Sequence, residues 1–265
     1  MGGWKDALNA VTTAVGVRAL GVLHGARPAP RMPVRAMGLH FPNPLGLAAG
    51  FDRSGAMVGA LAAAGFGFVE VGTVTPGTPP RLPHDRDCPV GVNIGSRRDG
   101  LDSAVVDDYA AALRAHWHRA DYLAANLSSP FFRRDEDPAA VDALLDHLKR
   151  EQAEQAQATG RRVPLTLKVH AGEDGTPLPT AVHAAHAHDV DGLVLVSASP
   201  RRLAAVAAAL DPMPVISVGG VHGSWDVQER LAAGAALVQV YTAFVRGGAR
   251  YPRRLLASIG AEMPA

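Results

Sequence analysis

Lys168 lies inside the apolar run LTLKVH, where an ammonium group has little water to face. A buried charge is costly unless a partner offsets it. Lysine is scarce here: it occurs only at Lys5, Lys149 and Lys168, among 26 Lys and Arg. Keeping Lys in an Arg-rich chain suggests a compact point charge beside a group that becomes anionic; the alternative is a structural bridge to a carboxylate inside the fold. Asn93 and Asn126 lie at the ends of two further apolar runs, VGVNI and YLAAN. Their amides could hydrogen-bond the edge of a planar heteroaromatic ring or simply satisfy loop backbone. Ser128 and Ser129 come next in ANLSSPFFRR, followed at once by Pro130, Phe131 and Phe132. Gly219–Gly220 follow PVISV, and Tyr241–Thr242 follow ALVQV. Glycines let a backbone approach a phosphate, and amides after a strand can donate to it. Lys168, Asn93 and Asn126 taken together read as a flavin site.

Eight runs rich in Val, Leu and Ala must position these residues: 44–50, 68–72, 90–94, 122–126, 165–169, 192–196, 214–218 and 236–240. Continuous apolar runs of this length suit strands buried on both faces. Helical patterns separate most of them. The clearest covers 138–158, with Asp137 to cap it, Pro138 in the first turn, Val141, Leu144, Leu145 and Leu148 on one face, and Gly160 to stop it. Another opens at Ser224 and closes at Gly234. Eight strands alternating with helices predict a TIM-type (β/α)8 barrel, with a doubly wound sheet as the alternative. A barrel active site gathers at the C-terminal strand ends. Those ends carry Ala49, Gly50 and Arg53, then Thr73, Asn93, Asn126 to Ser129, Lys168 and His170, Ser197 and Ser199, Gly219 and Gly220, and Tyr241 and Thr242. The connection 73–89 has five prolines and no helical period. The second barrel helix is therefore expected to be missing, its place covered by the N-terminal segment, this loop or a partner subunit.

A net charge of +1 gives no argument for a nucleic-acid partner. Cys88 is the only cysteine, which excludes an intrachain disulfide and leaves no cysteine-based metal site. A cytoplasmic protein is expected. No run approaches the roughly 18 apolar residues of a transmembrane helix. Residues 1–36 are expected to form a helical segment, packed on the domain or making a peripheral membrane or partner contact. Residues 37–265 are expected to form one barrel domain.

The motifs MGLHFPNPLGLAAGFDRSG (37–55), GFGFVEVGTVTP (65–76), GVNIG (91–95), NLSSP (126–130), LKV (167–169), VGG (218–220) and AAGAALVQVYTAF (232–244) resemble, in order, the dihydroorotate dehydrogenase family, especially its quinone-dependent class. The resemblance implies a barrel holding FMN and a place in pyrimidine biosynthesis. It assigns flavin contacts to Ala49, Gly50, Thr73, Asn93, Asn126, Lys168, Gly219, Gly220, Tyr241 and Thr242. Lys168 would favour the reduced, anionic flavin. Ser129 would be the base that takes a proton from the substrate carbon while hydride passes to the flavin, with Asn126 orienting the reacting ring. It also implies a small-molecule substrate and a quinone acceptor, and it leaves a homo-oligomer open.

Departures from the family pattern fall mostly on the substrate side. Arg53 stands at the place of a substrate-binding Lys, Phe131 at that of an Asn, and Ser197 at that of another Asn. The connection after the second strand has lost a substrate loop as well as a helix. An altered, less polar substrate is one expectation and dihydroorotate itself another. The alternative from a different class is a non-catalytic barrel descendant that binds flavin or a partner.

Overall fold

A computed structural model describes residues 14–16, 30–75, 77, 80, 82–83, 85–129 and 137–262. Each of the eight apolar runs contains a strand: β3 (Leu45–Leu47), β4 (Phe68–Val74), β5 (Val90–Ile94), β6 (Tyr122–Asn126), β7 (Leu165–His170), β8 (Gly192–Val196), β9 (Val215–Val218) and β10 (Ala235–Val240). They close into a parallel barrel in sequence order, with β10 completing the ring against β3. A short antiparallel hairpin, β1 (Val34–Ala36) and β2 (Leu39–Phe41), precedes them. The helices are α1 (Val58–Ala64), α2 (Ser103–His116), α3 (Pro138–Thr159), α4 (Thr180–Ala187), α5 (Pro200–Leu210), α6 (Ser224–Ala232), α7 (Thr242–Gly247) and α8 (Tyr251–Glu262). The N-terminal helical segment expected over 1–36 falls largely outside the described residues.

Local chemistry explains the clearest boundaries. The Asp137 carboxylate accepts from the Ala139 amide and caps α3, while Gly160 ends it at φ 65°. A residue with a Cβ rarely adopts that angle.

The barrel interior has an apolar floor. Phe41 of the hairpin meets Phe68 edge-on at 5.4 Å, and Tyr122, Val194, Ile216 and Leu237 pack around them. Glycines make room for the rings: a Cβ at Gly46 would lie 2.2 Å from the Phe68 ring, and one at Gly91 2.2 Å from that of Tyr122. Small against large is how a barrel interior is filled without voids.

Between β4 and β5 no helix occurs among the described residues. The Pro-rich connection covers part of that flank itself. Leu82 and Cys88 are buried in the outer core. Arg119 Nη1 donates to Leu82 O at 3.2 Å, and Arg86 Nη2 to Asp121 Oδ1 at 3.1 Å. Asp121 also accepts from the Val90 amide at 2.8 Å, so one carboxylate ties the connection to the start of β5.

Burial, and then the charge of Asp121, push the Cys88 thiol from 9.0 up to about 12. The folded chain thus holds on the order of a thousandfold less thiolate than the unfolded chain below pH 9. Cys88 is expected to react with a disulfide reagent at pH 8 far more slowly in the native protein than in urea; equal rates would contradict its burial. Because the unfolded thiol ionises first, this group lowers stability as pH rises above 9.0.

Candidate active site

Above the apolar floor the barrel interior turns polar. Glu70, Asn93, Thr166, Lys168 and Gln239 are all buried. Strand register explains the grouping: Gly72 pairs with Asn93, and Asn126 with Lys168. Lys168 Nζ lies 3.4 Å from Glu70 Oε2, and the Tyr122 hydroxyl donates to Glu70 Oε1 at 3.1 Å. Burial first, and the Glu70 charge second, push the Tyr122 phenol well above its usual range, so it remains a donor. Lys168 therefore bridges a buried carboxylate, as the structural alternative expected, and it also lines the pocket above.

A chain of side-chain hydrogen bonds runs around the β4–β6 rim. Ser128 Oγ donates to Asn126 Oδ1 at 2.7 Å, and the Ser128 amide donates to the same oxygen at 3.0 Å. Asn126 Nδ2 donates to Thr73 Oγ1 at 3.2 Å, and Thr73 Oγ1 donates to Asn93 Oδ1 at 2.8 Å. The chain ends at Asn93 Nδ2, which is buried and has no hydrogen-bond partner among the described residues. An unpaired buried donor is costly, so a ligand acceptor there would be bound favourably.

These residues line a pocket of about 410 Å³ with Ala49, Gly50, Arg53, Thr75, Gly95, Ser96, Arg97, Ser129 and Lys168. Its size and its few convergent polar groups suit a small-molecule site. The described lining is polar and cationic. Phe131 lies outside the described residues.

Other expected site residues lie elsewhere on the mouth. Ser197 and Gly219 line a second pocket of about 540 Å³ with His170, Glu173, Asp174 and Ser199. His170 Nε2 lies 3.1 Å from Ser128 O, joining the two regions. Gly219 and Gly220 have φ 105° and 67°, which demand glycine. A Cβ at Gly220 would lie 2.9 Å from Ala198 Cβ, so the pair is also packed against the β8 exit. Tyr241 leans over Gly50, where a Cβ would be 3.4 Å from its ring, and Thr242 opens α7.

Sequence reasoning missed Glu70, although a charge inside the apolar run FVEVG is the same signal that marks Lys168. It also missed Arg230. That side chain is buried and donates to Ser197 O at 3.0 Å, Ala198 O at 2.7 Å and Gly219 O at 3.2 Å, which braces the short β8 exit.

Removing one member of the Glu70–Lys168 pair leaves the other charge buried alone. Lys168→Met is expected to destabilise the protein by about 3–5 kcal/mol, and Lys168→Met with Glu70→Gln by clearly less. Urea unfolding of the single and double variants checks this. Strictly additive losses would mean that the two groups are not coupled.

Comparison with known proteins agrees with the barrel and its motifs. The family model described as dihydroorotate dehydrogenase matches residues 31–86 and 180–263. It passes over the segment that carries Asn93, Asn126, Ser129 and Lys168, but pairwise similarity runs through most of the chain. A dihydroorotate dehydrogenase (quinone) of Thermus thermophilus is 34% identical, covering 87% of this chain and 83% of its own. One from Herminiimonas arsenicoxydans is 32% identical, covering 86% of each. The crystal structure of ligand-free DHODH from Eimeria tenella superposes with a TM-score of 0.75 over 94% of each chain, at 23% identity, and supports the fold. The chain belongs to the dihydroorotate dehydrogenase family, whose oxidoreductase barrel it shares.

Proposed function

We propose that the protein is an FMN-dependent oxidoreductase of the dihydroorotate dehydrogenase type, working on a substrate site altered from the family pattern. The observation that carries this is the buried Asn93 Nδ2, without a hydrogen-bond partner among the described residues, in a pocket shared with Asn126 and Lys168. The residues fit a flavin. Ala49, Gly50, Thr73, Asn93, Asn126 and Lys168 would hold its ring, and Gly219, Gly220, Tyr241 and Thr242 its phosphate. When bound, FMN supplies the hydride acceptor.

The chain's own groups supply the rest. Asn93 offers an amide proton to an acceptor on the ring edge. Lys168, kept in place by Glu70, puts a positive charge beside the site where negative charge develops. Asn126 is oriented by Ser128 and Thr73 and presents its amide to the reacting ring. Ser129 stands on the same pocket wall and takes the proton from the substrate carbon. A serine hydroxyl is a weak base, so it must hand that proton on; its partial exposure gives water access. Arg53, Ser197 and Phe131 belong to the substrate side. A quinone is the electron acceptor we infer, as the relatives' names indicate. Among the described residues no helix is long and apolar enough to cross a membrane.

Rapid anaerobic mixing of the flavin-loaded protein with dihydroorotate tests the assignment. Ser129→Ala should slow flavin reduction by about 10²–10⁴ while FMN affinity stays within a few-fold. Equal reduction rates for variant and parent would reject Ser129 as the base.

A further inference from the structure

Gln239 is wholly buried, yet neither its amide oxygen nor its amide nitrogen has a hydrogen-bond partner among the described residues. Alternation along β10 fixes where the side chain points. Val238 and Val240 belong to the outer core and Leu237 to the inner cluster, so Gln239 faces the barrel interior with Leu237. An amide left open at both ends is costly, and an apolar side chain of similar size would avoid that cost. The position therefore calls for a polar partner inside the barrel.

Strand register identifies the neighbours. Gln239 pairs with Gly46, and Gly46 with Phe68. A barrel of this kind climbs about one residue per strand around the ring, which brings Gln239 level with Glu70, the next inward-facing residue after Phe68. Between them, β3 and its exit turn Gly46 and Ala48 inward, while Leu45 and Leu47 face the outer core, so no large side chain from that strand stands in the way. Glu70 in turn meets Lys168 at 3.4 Å. Long polar side chains from β4, β7 and β10 thus converge above the apolar floor of Phe68 and Leu237.

Hydrogen-bonding capacity decides what joins them. The carboxylate only accepts, the ammonium only donates, and the amide does both. A water molecule also does both, and a buried one typically makes about three hydrogen bonds to such groups. It accepts from the Lys168 ammonium and donates to Gln239 Oε1, which leaves Gln239 Nε2 to donate towards Glu70.

We propose that Gln239, Glu70 and Lys168 bind an internal water molecule, and that through it Gln239 is a positioning residue for the Lys168 ammonium. With this uncharged partner the ammonium is not drawn fully onto Glu70, and it keeps its charge towards the pocket above. The water site needs no flavin; only its consequence for a flavin rests on the oxidoreductase reading.

Two measurements on the full chain as isolated test the site. In protein labelled with 15N-glutamine, the Gln239 side-chain amide is identified by its loss in Gln239→Leu. A ROESY cross-peak from that amide to water, with the sign of cross-relaxation rather than exchange, is expected, and its absence overturns the proposal. The second measurement moves the charge. Glu70→Gln should lower the urea midpoint, because Lys168 is left without a carboxylate. Adding Gln239→Glu returns a carboxylate to the same polar centre and should regain about half of that loss or more; no regain overturns the proposal. In flavin-loaded protein, Gln239→Leu should move the flavin midpoint potential to more negative values, as the ammonium shifts towards Glu70. An unchanged potential overturns the positioning role. A chain that takes up no FMN counts against the oxidoreductase reading, while the cross-peak and the charge transfer still decide the water site.

Discussion

A charge inside a closed barrel must be neutralised there, because no water can reach it from the walls. Glu70 and Lys168 meet that constraint across the interior, and Tyr122 satisfies the second carboxylate oxygen. The pair also separates two kinds of interior. Below it the barrel is packed like any apolar core, with Phe41, Phe68 and Leu237. Above it polar side chains can face a ligand, since a fixed ammonium already stands at the base of the pocket. Replacing such a pair by apolar residues often costs little stability, so its presence is better explained by the chemistry above it than by the fold.

The mouth divides by strand. The exits of β3 to β7 converge on one pocket, where a single hydrogen-bonded chain fixes Ser128, Asn126, Thr73 and Asn93 relative to one another. The β8 and β9 exits are shorter, and buried Arg230 holds them by gathering the carbonyls of Ser197, Ala198 and Gly219. Buried Arg202 braces the β7 exit in the same way, donating to Ala171 O, Thr176 O and Pro177 O at 2.7 Å each. Guanidinium groups that donate to backbone carbonyls stiffen a connection without needing a carboxylate. In this way even the short link of residues 197–199 between β8 and α5 is held in place.

Much of this was legible in the sequence for a physical reason. Strands buried on both faces leave continuous apolar runs, so all eight were readable, as was the long helix bounded by Asp137 and Gly160. The three-residue strands of the hairpin were not, because so short an element leaves no period. Lys168 was conspicuous as a charge in an apolar run, and Glu70 carried the same signal unread. Arg97 and Arg230 carried none. A surface-type residue becomes part of a site only when barrel closure brings distant strand exits together. The split between the two pockets, with Gly219 and Ser197 away from Asn93, was likewise invisible before the strands were closed.

The proposed function requires that this polar interior hold a flavin. The most direct test is the visible absorbance spectrum of the purified protein, taken as isolated and after incubation with FMN. Bound FMN is expected at one per chain, with Asn93→Ala and Lys168→Met weakening its retention. A colourless protein that takes up no FMN on reconstitution would contradict it.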